Sequence, residues 1–253
     1  MGFWTGILGL LLMTVAILIT GGFQPSTTTL IAGVIGGLCF ASAGILSIYV
    51  LSTGPFIWSV LTMNLSSFLP VLFSIMFLGE SISITQIVGV ILILSILLIM
   101  SLGLKGDNKP FTAKWMIVAT VAMFTNGAIL CSQKAQSTFM AGAETIEMLA
   151  VLFLSGSVFA WLYCIKALKG KEIPPLKQYL PPAFGLIFAL GIGNVLGMTL
   201  MGRISAAIQF PVLVGGGIVI ASTLGVVLYK EKPGPRLYIS IALLIAGVTL
   251  LGI

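Results

Sequence analysis

Long unbroken runs of apolar residues, separated by short breaks rich in Gly, Pro and charge, set the pattern of this chain. Nine such runs can be cut: Phe3–Thr20, Thr29–Leu51, Phe56–Leu78, Ile84–Leu102, Trp115–Ser137, Thr145–Ile165, Pro182–Gly202, Ala206–Tyr229 and Leu237–Ile253. Each is close to the ~20 residues that a helix needs to cross ~30 Å of hydrocarbon. Backbone amides in lipid must be paired internally, so a spanning chain is either helical or a closed barrel. Barrel strands alternate apolar with polar residues, and these runs do not. The pattern predicts an all-α, polytopic transmembrane helix bundle.

Composition agrees. Hydrophobic residues make up 58% of the chain and charged residues 7%, whereas a soluble domain carries about 25% charged residues. The first run has no basic leader and is followed by further spans, so it reads as a retained helix and not as a cleaved signal. A turn-rich stretch from Lys105 to Lys114, with Gly106, Asp107, Asn108 and Pro110, divides the chain. The expected organisation is a first membrane portion over residues 1–104, a linker over 105–114 and a second membrane portion over 115–253.

The net charge of +6 comes from basic residues scattered over short loops, which excludes a groove-filling nucleic-acid patch. Ten of the twelve are Lys105, Lys109 and Lys114, then Lys166, Lys169, Lys171 and Lys177, then Lys230, Lys232 and Arg236. If the nine spans alternate in direction, all three loops lie on one side, and the positive-inside rule makes that side cytoplasmic. The N-terminus is then cytoplasmic and the C-terminus outside. Cys39, Cys131 and Cys164 stand singly in apolar runs and read as packing residues.

The chain also resembles itself. A shift of 151 residues aligns FLGESISITQIVGVILILSILLIM, from Phe77, with LYKEKPGPRLYISIALLIAGVTLL, from Leu228. Small residues recur every four positions in paired spans: Gly217, Ala221 and Gly225 against Ser66, Pro70 and Ser74. Gly185, Ala189, Gly193 and Gly197 likewise match Gly33, Gly37 and Ala41, one residue out of register. Such stripes let helix backbones approach closely in lipid. The shift covers an odd number of spans, so matching segments run in opposite directions, as in inverted-repeat transporters.

The order of apolar helix, Glu, short loop and apolar helix at Glu80 and again at Glu231 resembles the drug/metabolite transporter superfamily, in particular its ten-helix EamA-type branch. The resemblance covers essentially the whole chain. It implies two inverted repeats of five helices, a central cavity, and transport of small organic solutes such as metabolites, amino acids or drugs by alternating access. It also implies a multi-pass protein of the plasma membrane, here of a bacterium, with the two Glu residues as structural helix ends. The first portion holds four spans where the family has five. Either a helix of roughly 20 residues precedes Met1 or this is a nine-helix variant. The family is described with both termini cytoplasmic, and the loop charges here differ from that at the C-terminus.

Ionisable groups inside a membrane usually mark a pathway. Lys134, Glu144, Glu147 and Arg203 fall near span ends. They read either as interfacial anchors or as a gate in which Lys134 pairs with Glu144 or Glu147. Uncharged polar groups lie deeper: Asn64, Ser67, Asn126, Gln133, Asn194 and Gln209, with Phe210 as an apolar wall. They are candidates for a solute cavity and equally able to bond helix to helix. Asn126→Ala, Gln133→Ala and Asn194→Ala are expected to weaken solute binding more than changes at Ser26 or Asn108. Pro70 and Pro211, the latter followed by Gly215, Gly216 and Gly217, are candidate hinges. The glycine run is not a phosphate loop, because no Lys-Ser or Lys-Thr follows it.

The chain has no His, and its single Asp is Asp107 in the linker. The groups for proteolytic or metal chemistry are missing, so neither an enzyme nor a metal or cofactor is expected. The expected partners are the bilayer, a small solute and a second copy of the chain. The alternative to transport is a membrane scaffold that holds a partner.

Overall fold

The structure is a computed structural model and describes residues 14–15, 17–18, 22–101, 112–141, 143–167, 176–229 and 235–252. Among the described residues these α-helices follow one another from Thr27 on: α1 Thr27–Thr53, α2 Phe56–Leu65, α3 Leu69–Phe77, α4 Ile84–Ser101, α5 Ala113–Phe139, α6 Thr145–Ala167, α7 Leu176–Met201, α8 Ala206–Tyr229 and α9 Pro235–Leu251. A 3-10 turn, Ser66–Phe68, joins α2 to α3. No strand occurs among the described residues, and the fold class is all-α. Among the described residues, four stretches are long and apolar enough to cross a membrane: Thr27–Thr53, Trp58–Phe77, Ala113–Phe139 and Thr145–Tyr163. Ile84–Ile96, Phe188–Met201, Ala206–Ile220 and Pro235–Leu251 are shorter apolar helices. Ile48, Met76 and Ile84 are 71%, 72% and 81% exposed, which is tolerable where the surroundings are lipid tails.

The described spans read from the sequence correspond to these helices to within two residues at each end, except that α7 begins at Leu176, six residues before the expected Pro182. The first span lies outside the described residues except for Thr14, Val15, Ile17 and Leu18, which are helical. Lys105, Asp107, Asn108 and Lys109 of the linker also lie outside them, as does Glu231. The span Phe56–Leu78 is two helices and a tight turn. Pro70 at the start of α3 has no N–H to give to Ser66 one turn earlier, so the Leu69 N–H bonds the Ser66 carbonyl in 3-10 fashion. Pro211 lies within α8.

Side chains close the starts of α4 and α5. Ser83 and Gln86 form a reciprocal capping box at α4, at 3.2 and 3.1 Å. Thr112 Oγ1 accepts the Trp115 N–H at the start of α5. Gly79, at φ +70°, ends α3, and the Glu80 N–H reaches back to the Ser74 carbonyl at 3.2 Å.

The chain packs as two compact units, residues 1–45 with 128–203 and residues 46–127 with 204–253. In the first, glycines of α1 meet α6. A β carbon on Gly33 would lie 2.7 Å from the Val151 side chain, and one on Gly37 would collide with Ser155 and the Leu152 carbonyl. The Ser155 hydroxyl bonds the Gly33 carbonyl, and Phe40 meets Phe153 edge to face at 5.6 Å.

In the second unit, α4, α8 and α9 surround a core of Ile93, Ile96, Val219 and Leu251. A β carbon on Gly89 would sit 2.9 Å from the Gly247 carbonyl oxygen and close to Leu251, while one on Gly247 would touch Ile93. Those pairings make α4 and α9 antiparallel. The Trp115 indole donates to the Val50 carbonyl at 3.1 Å, within a cluster of Val50, Trp115, Ala119 and Ala122. In each unit, the helix ends that meet are ends that alternating crossings place on the same side.

Not every small residue marks a close approach. Gly185, Gly193, Gly216 and Gly217 have no described neighbour within 4 Å of an added β carbon. The small stripe of α1 is therefore a packing surface, and these positions on α7 and α8 have no described partner. Gly37→Ala is expected to destabilise the protein by about 1–3 kcal/mol through overpacking, and Gly193→Ala to leave it unchanged. Thermal unfolding midpoints in detergent measure the difference; equal midpoints would contradict the assigned contact.

Candidate functional site

One stretch of α5 gathers most of the buried polar groups of the first unit. Gln133, Lys134, Gln136 and Ser137 are all at most 2% exposed. Polar atoms at that depth are costly unless bonded. Gln133 Nε2 donates to Asn194 Oδ1 at 2.9 Å, and Asn194 Nδ2 donates to the Leu190 carbonyl within α7. The Ser137 hydroxyl donates to the Met198 carbonyl at 3.0 Å. Lys134 Nζ donates to the Met201 carbonyl at 2.7 Å, at the last residue of α7. A cation there satisfies an orphan carbonyl and opposes the negative end of the helix dipole. Gln136 faces the other way: its Nε2 donates to Thr29 Oγ1 of α1 and to the Ala143 carbonyl, at 3.2 and 3.0 Å.

The loop from α5 to α6 bends through two left-handed residues, Ala141 at φ 50° and Glu144 at φ 57°, a conformation that side chains rarely adopt. The bend is matched by a contact: Glu144 Oε2 accepts both the amide and the hydroxyl of Ser26, each at 2.8 Å. Ser26 in turn caps α1 by accepting the Thr29 N–H. This is a capping box whose acid comes from a distant loop. Hydrogen bonds from the Thr29 hydroxyl, then from the Ser26 amide and hydroxyl, hold the Glu144 carboxyl below its ordinary range. Ser26 thus closes the start of α1 together with Glu144. Glu147 is half-buried in the first turn of α6, and Arg203 is exposed in the turn after α7.

A second polar group sits at the break before α3, in the other unit. Asn126 Nδ2 donates to Ser66 Oγ at 2.8 Å, and Asn64 Nδ2 donates to the Val60 carbonyl of its own helix. Gly127 lets α5 lie directly against Leu69. Asn126 and Gly127 together hold the kink. Ser67 is half-buried in the 3-10 turn. Near the start of α8, Gln209 is 4% and Phe210 2% exposed, just before Pro211. Gly215 packs against Ile93. Glu80 Oε2 accepts the Ala206 N–H at 2.8 Å and so closes the N-terminus of α8.

The structure brings Gln133 to Asn194 among the residues picked out from sequence. Thr29, Gln136, Ser137 and Ser66 belong to the same networks and were not picked out. Gln136 and Ser137 lie three and four residues after Gln133, a spacing that places them one helical turn from it. No group of three or more His, Cys, Asp or Glu residues able to hold a metal occurs among the described residues.

Two outcomes follow from this geometry. A double-mutant cycle with Gln133→Leu and Asn194→Leu, read by unfolding, is expected to give a coupling of about 0.6 kcal/mol; additive effects would show that the bond is not formed. Because the carboxyl of Glu144 is depressed from its ordinary 4.5, its contribution is complete above that value and is lost as pH falls through the lowered pKa. Wild-type protein should therefore be more stable than Glu144→Gln at neutral pH, and the gap should close in strong acid. A gap independent of pH would contradict the ionised contact.

The sequence profile of the EamA-like transporter family matches residues 105–253, more than half of the chain. Comparison with the curated proteins gives no match. Among solved structures, one titled only as the crystal structure of a protein is similar with a TM-score of 0.76 at 19% identity, over 100% of this chain and 87% of the other. That likeness concerns the fold. With its apolar spans, its closed helix ends and this match, the chain is a multi-pass membrane protein that belongs to the EamA-like transporter family.

Proposed function

We propose that the chain is a secondary transporter that moves small organic solutes, such as metabolites, amino acids or drugs, across the cytoplasmic membrane of a bacterium by alternating access. The family match carries the reading. The antiparallel packing of α4 and α9, equivalent segments under the 151-residue shift, supports an inverted relation between residues 1–104 and 115–253. Pro70, at the break before α3, and Pro211, within α8, are the proposed points about which spans bend, and Gly216 and Gly217 add little steric resistance.

Asn64, Ser67, Asn126, Gln133, Asn194 and Gln209 are the proposed solute-binding groups, with Phe210 as an apolar wall. Of these, Asn64, Asn126, Gln133 and Asn194 are bonded to other protein groups at 2.8–2.9 Å. Such bonds in membrane proteins are weak, about 0.6 kcal/mol each, and can be exchanged for bonds to a solute. Lys134 and Glu144, with Glu147 and Arg203 nearby in sequence or at the same helix ends, form the proposed gate. Its motion is a transfer of Glu144 from Ser26 toward Lys134, driven by the Coulomb attraction of an acid and a base in a poorly screened setting.

Flux assays on proteoliposomes holding the full chain test the proposal with a panel of amino acids, nucleosides and cationic drugs. Accelerated counterflow of at least one solute is expected. Gln133→Ala, Asn194→Ala and Asn126→Ala should slow it by roughly three- to tenfold, and Asn108→Ala should not. Absence of flux for every solute, with stable co-purification of one protein, would replace the transporter with a scaffold.

A further inference from the structure

The shift of 151 residues that aligns the chain with itself also aligns helices of the second unit. It carries Ile84–Ser101 onto Pro235–Gly252, and α9 is Pro235–Leu251. It carries Phe56–Phe77 onto Ala207–Leu228, and α8 is Ala206–Tyr229. The members of this second pair differ in one respect. The first is interrupted by the 3-10 turn Ser66–Phe68, whereas α8 is a continuous α-helix.

A single residue accounts for the difference. Pro70 has no N–H for the Ser66 carbonyl, so that bond is missing in every state. Its counterpart in α8 is Ala221, which has an N–H and lies one helical turn after Gly217. The counterpart of the turn is Gly217–Val219, directly after Gly215 and Gly216. Gly215 has a packing reason to be small, since a β carbon there would lie 2.6 Å from the Ile93 side chain. Gly216 and Gly217 have no described atom within 4 Å of an added β carbon. What glycine still supplies at those two positions is a loosely held backbone. α8 also packs against the turn Ser66–Phe68, and its first residue, Ala206, meets Glu80 just after α3. The two segments therefore run antiparallel, which brings the existing break and the glycine run to the same level.

We infer that α8 opens a 3-10 break at Gly217–Val219 in a second state of the transport cycle and bends there. The Gly217 carbonyl then takes the Ile220 N–H, as the Ser66 carbonyl takes that of Leu69. The Ala221 N–H is released, and water in an opened cavity meets it, because lipid offers no acceptor. The break before α3 is permanent and the one in α8 is conditional, so α8 is the member of the pair that changes shape. This inference rests on the transporter reading and adds to it the place and form of the bend.

Spin labels on Leu213→Cys and Val227→Cys, both exposed positions, test this by pulsed electron resonance. The full chain is used in liposomes, with Cys39, Cys131 and Cys164 replaced by Ala. An unbroken helix holds the two positions about 21 Å apart along its axis, and the native glycines should give that distance and a second, distinct one. Gly216→Ala combined with Gly217→Ala meets open space and favours helix, so this variant should fold and lose the second distance. It should also slow solute counterflow by roughly tenfold, the effect of replacing two helix-interior glycines by alanine. Gly193→Ala, an equally open glycine of α7, should change neither reading. A single distance with the native glycines, or a second distance or full counterflow that survives both alanines, would overturn the inference. Absence of counterflow from the native chain would instead overturn the transporter reading, and the distances alone would then decide whether α8 breaks.

Discussion

Lipid offers no hydrogen bonds to a polypeptide, and most of the observed architecture answers that constraint. Within a helix the backbone answers it alone. At helix ends and prolines it cannot, because four N–H and four carbonyl groups per helix are left over. This chain places its few charges at several such points. It has six acidic residues, and two of them, Glu144 and Glu80, accept backbone N–H groups at the starts of α1 and α8. Lys134 takes a carbonyl at the end of α7. In each case the sign of the charge opposes the sign of the helix end, so hydrogen bond and dipole act together. The contacts join segments more than 60 residues apart, so the same groups that finish the helices also fix which helix ends meet.

The second constraint is that apolar helices gain nothing from avoiding lipid tails, which are as apolar as they are. Association must come from close packing and from a few polar bonds. Gly33 and Gly37 on α1, Gly89 on α4 and Gly247 on α9 provide the first, each putting another segment within reach of bare backbone. Gln133 with Asn194, and Asn126 with Ser66, provide the second. Asn126 and Gly127 combine both at one place, where α5 lies against a turn that Pro70 has already loosened.

Sequence periodicity was enough to locate the helices, because an apolar run of ~20 residues has few other uses. Ala206–Tyr229 agrees at both ends, since Ser205 before it and the charged run Lys230, Glu231 and Lys232 after it are both visible in sequence. The interruption of the third span was harder to see: a proline marks a weak point, but whether the chain bends or forms a 3-10 turn depends on Ser66 and on what packs against it. The polar network was half legible. Gln133 and Asn194 stand out as amides in apolar runs, whereas Ser26 and Thr29 look like ordinary loop and helix-start residues until the α5–α6 loop brings Glu144 to them. A glycine stripe is ambiguous for the same reason, because only the neighbour decides its use. Gly37 has one within contact distance and Gly193 has none described.

The weakness of each polar bond bears on how such a protein can work. Gln133 and Asn194 already satisfy one another, so a solute that takes either amide must displace the other. The exchange is nearly neutral in energy, because one hydrogen bond replaces another of similar strength. What changes is the link between α5 and α7: with Gln133 turned to a solute, one of the bonds that align these helices is gone, while Ser137 and Lys134 still hold the end of α7. If Gln133 and Asn194 hold a solute as proposed, binding loosens the helix pair near Asn194 and leaves the end of α7 fixed. A solute can shift a conformational equilibrium only by its differential affinity for the two states, and a bond that must open before the solute can be held is a direct source of that difference.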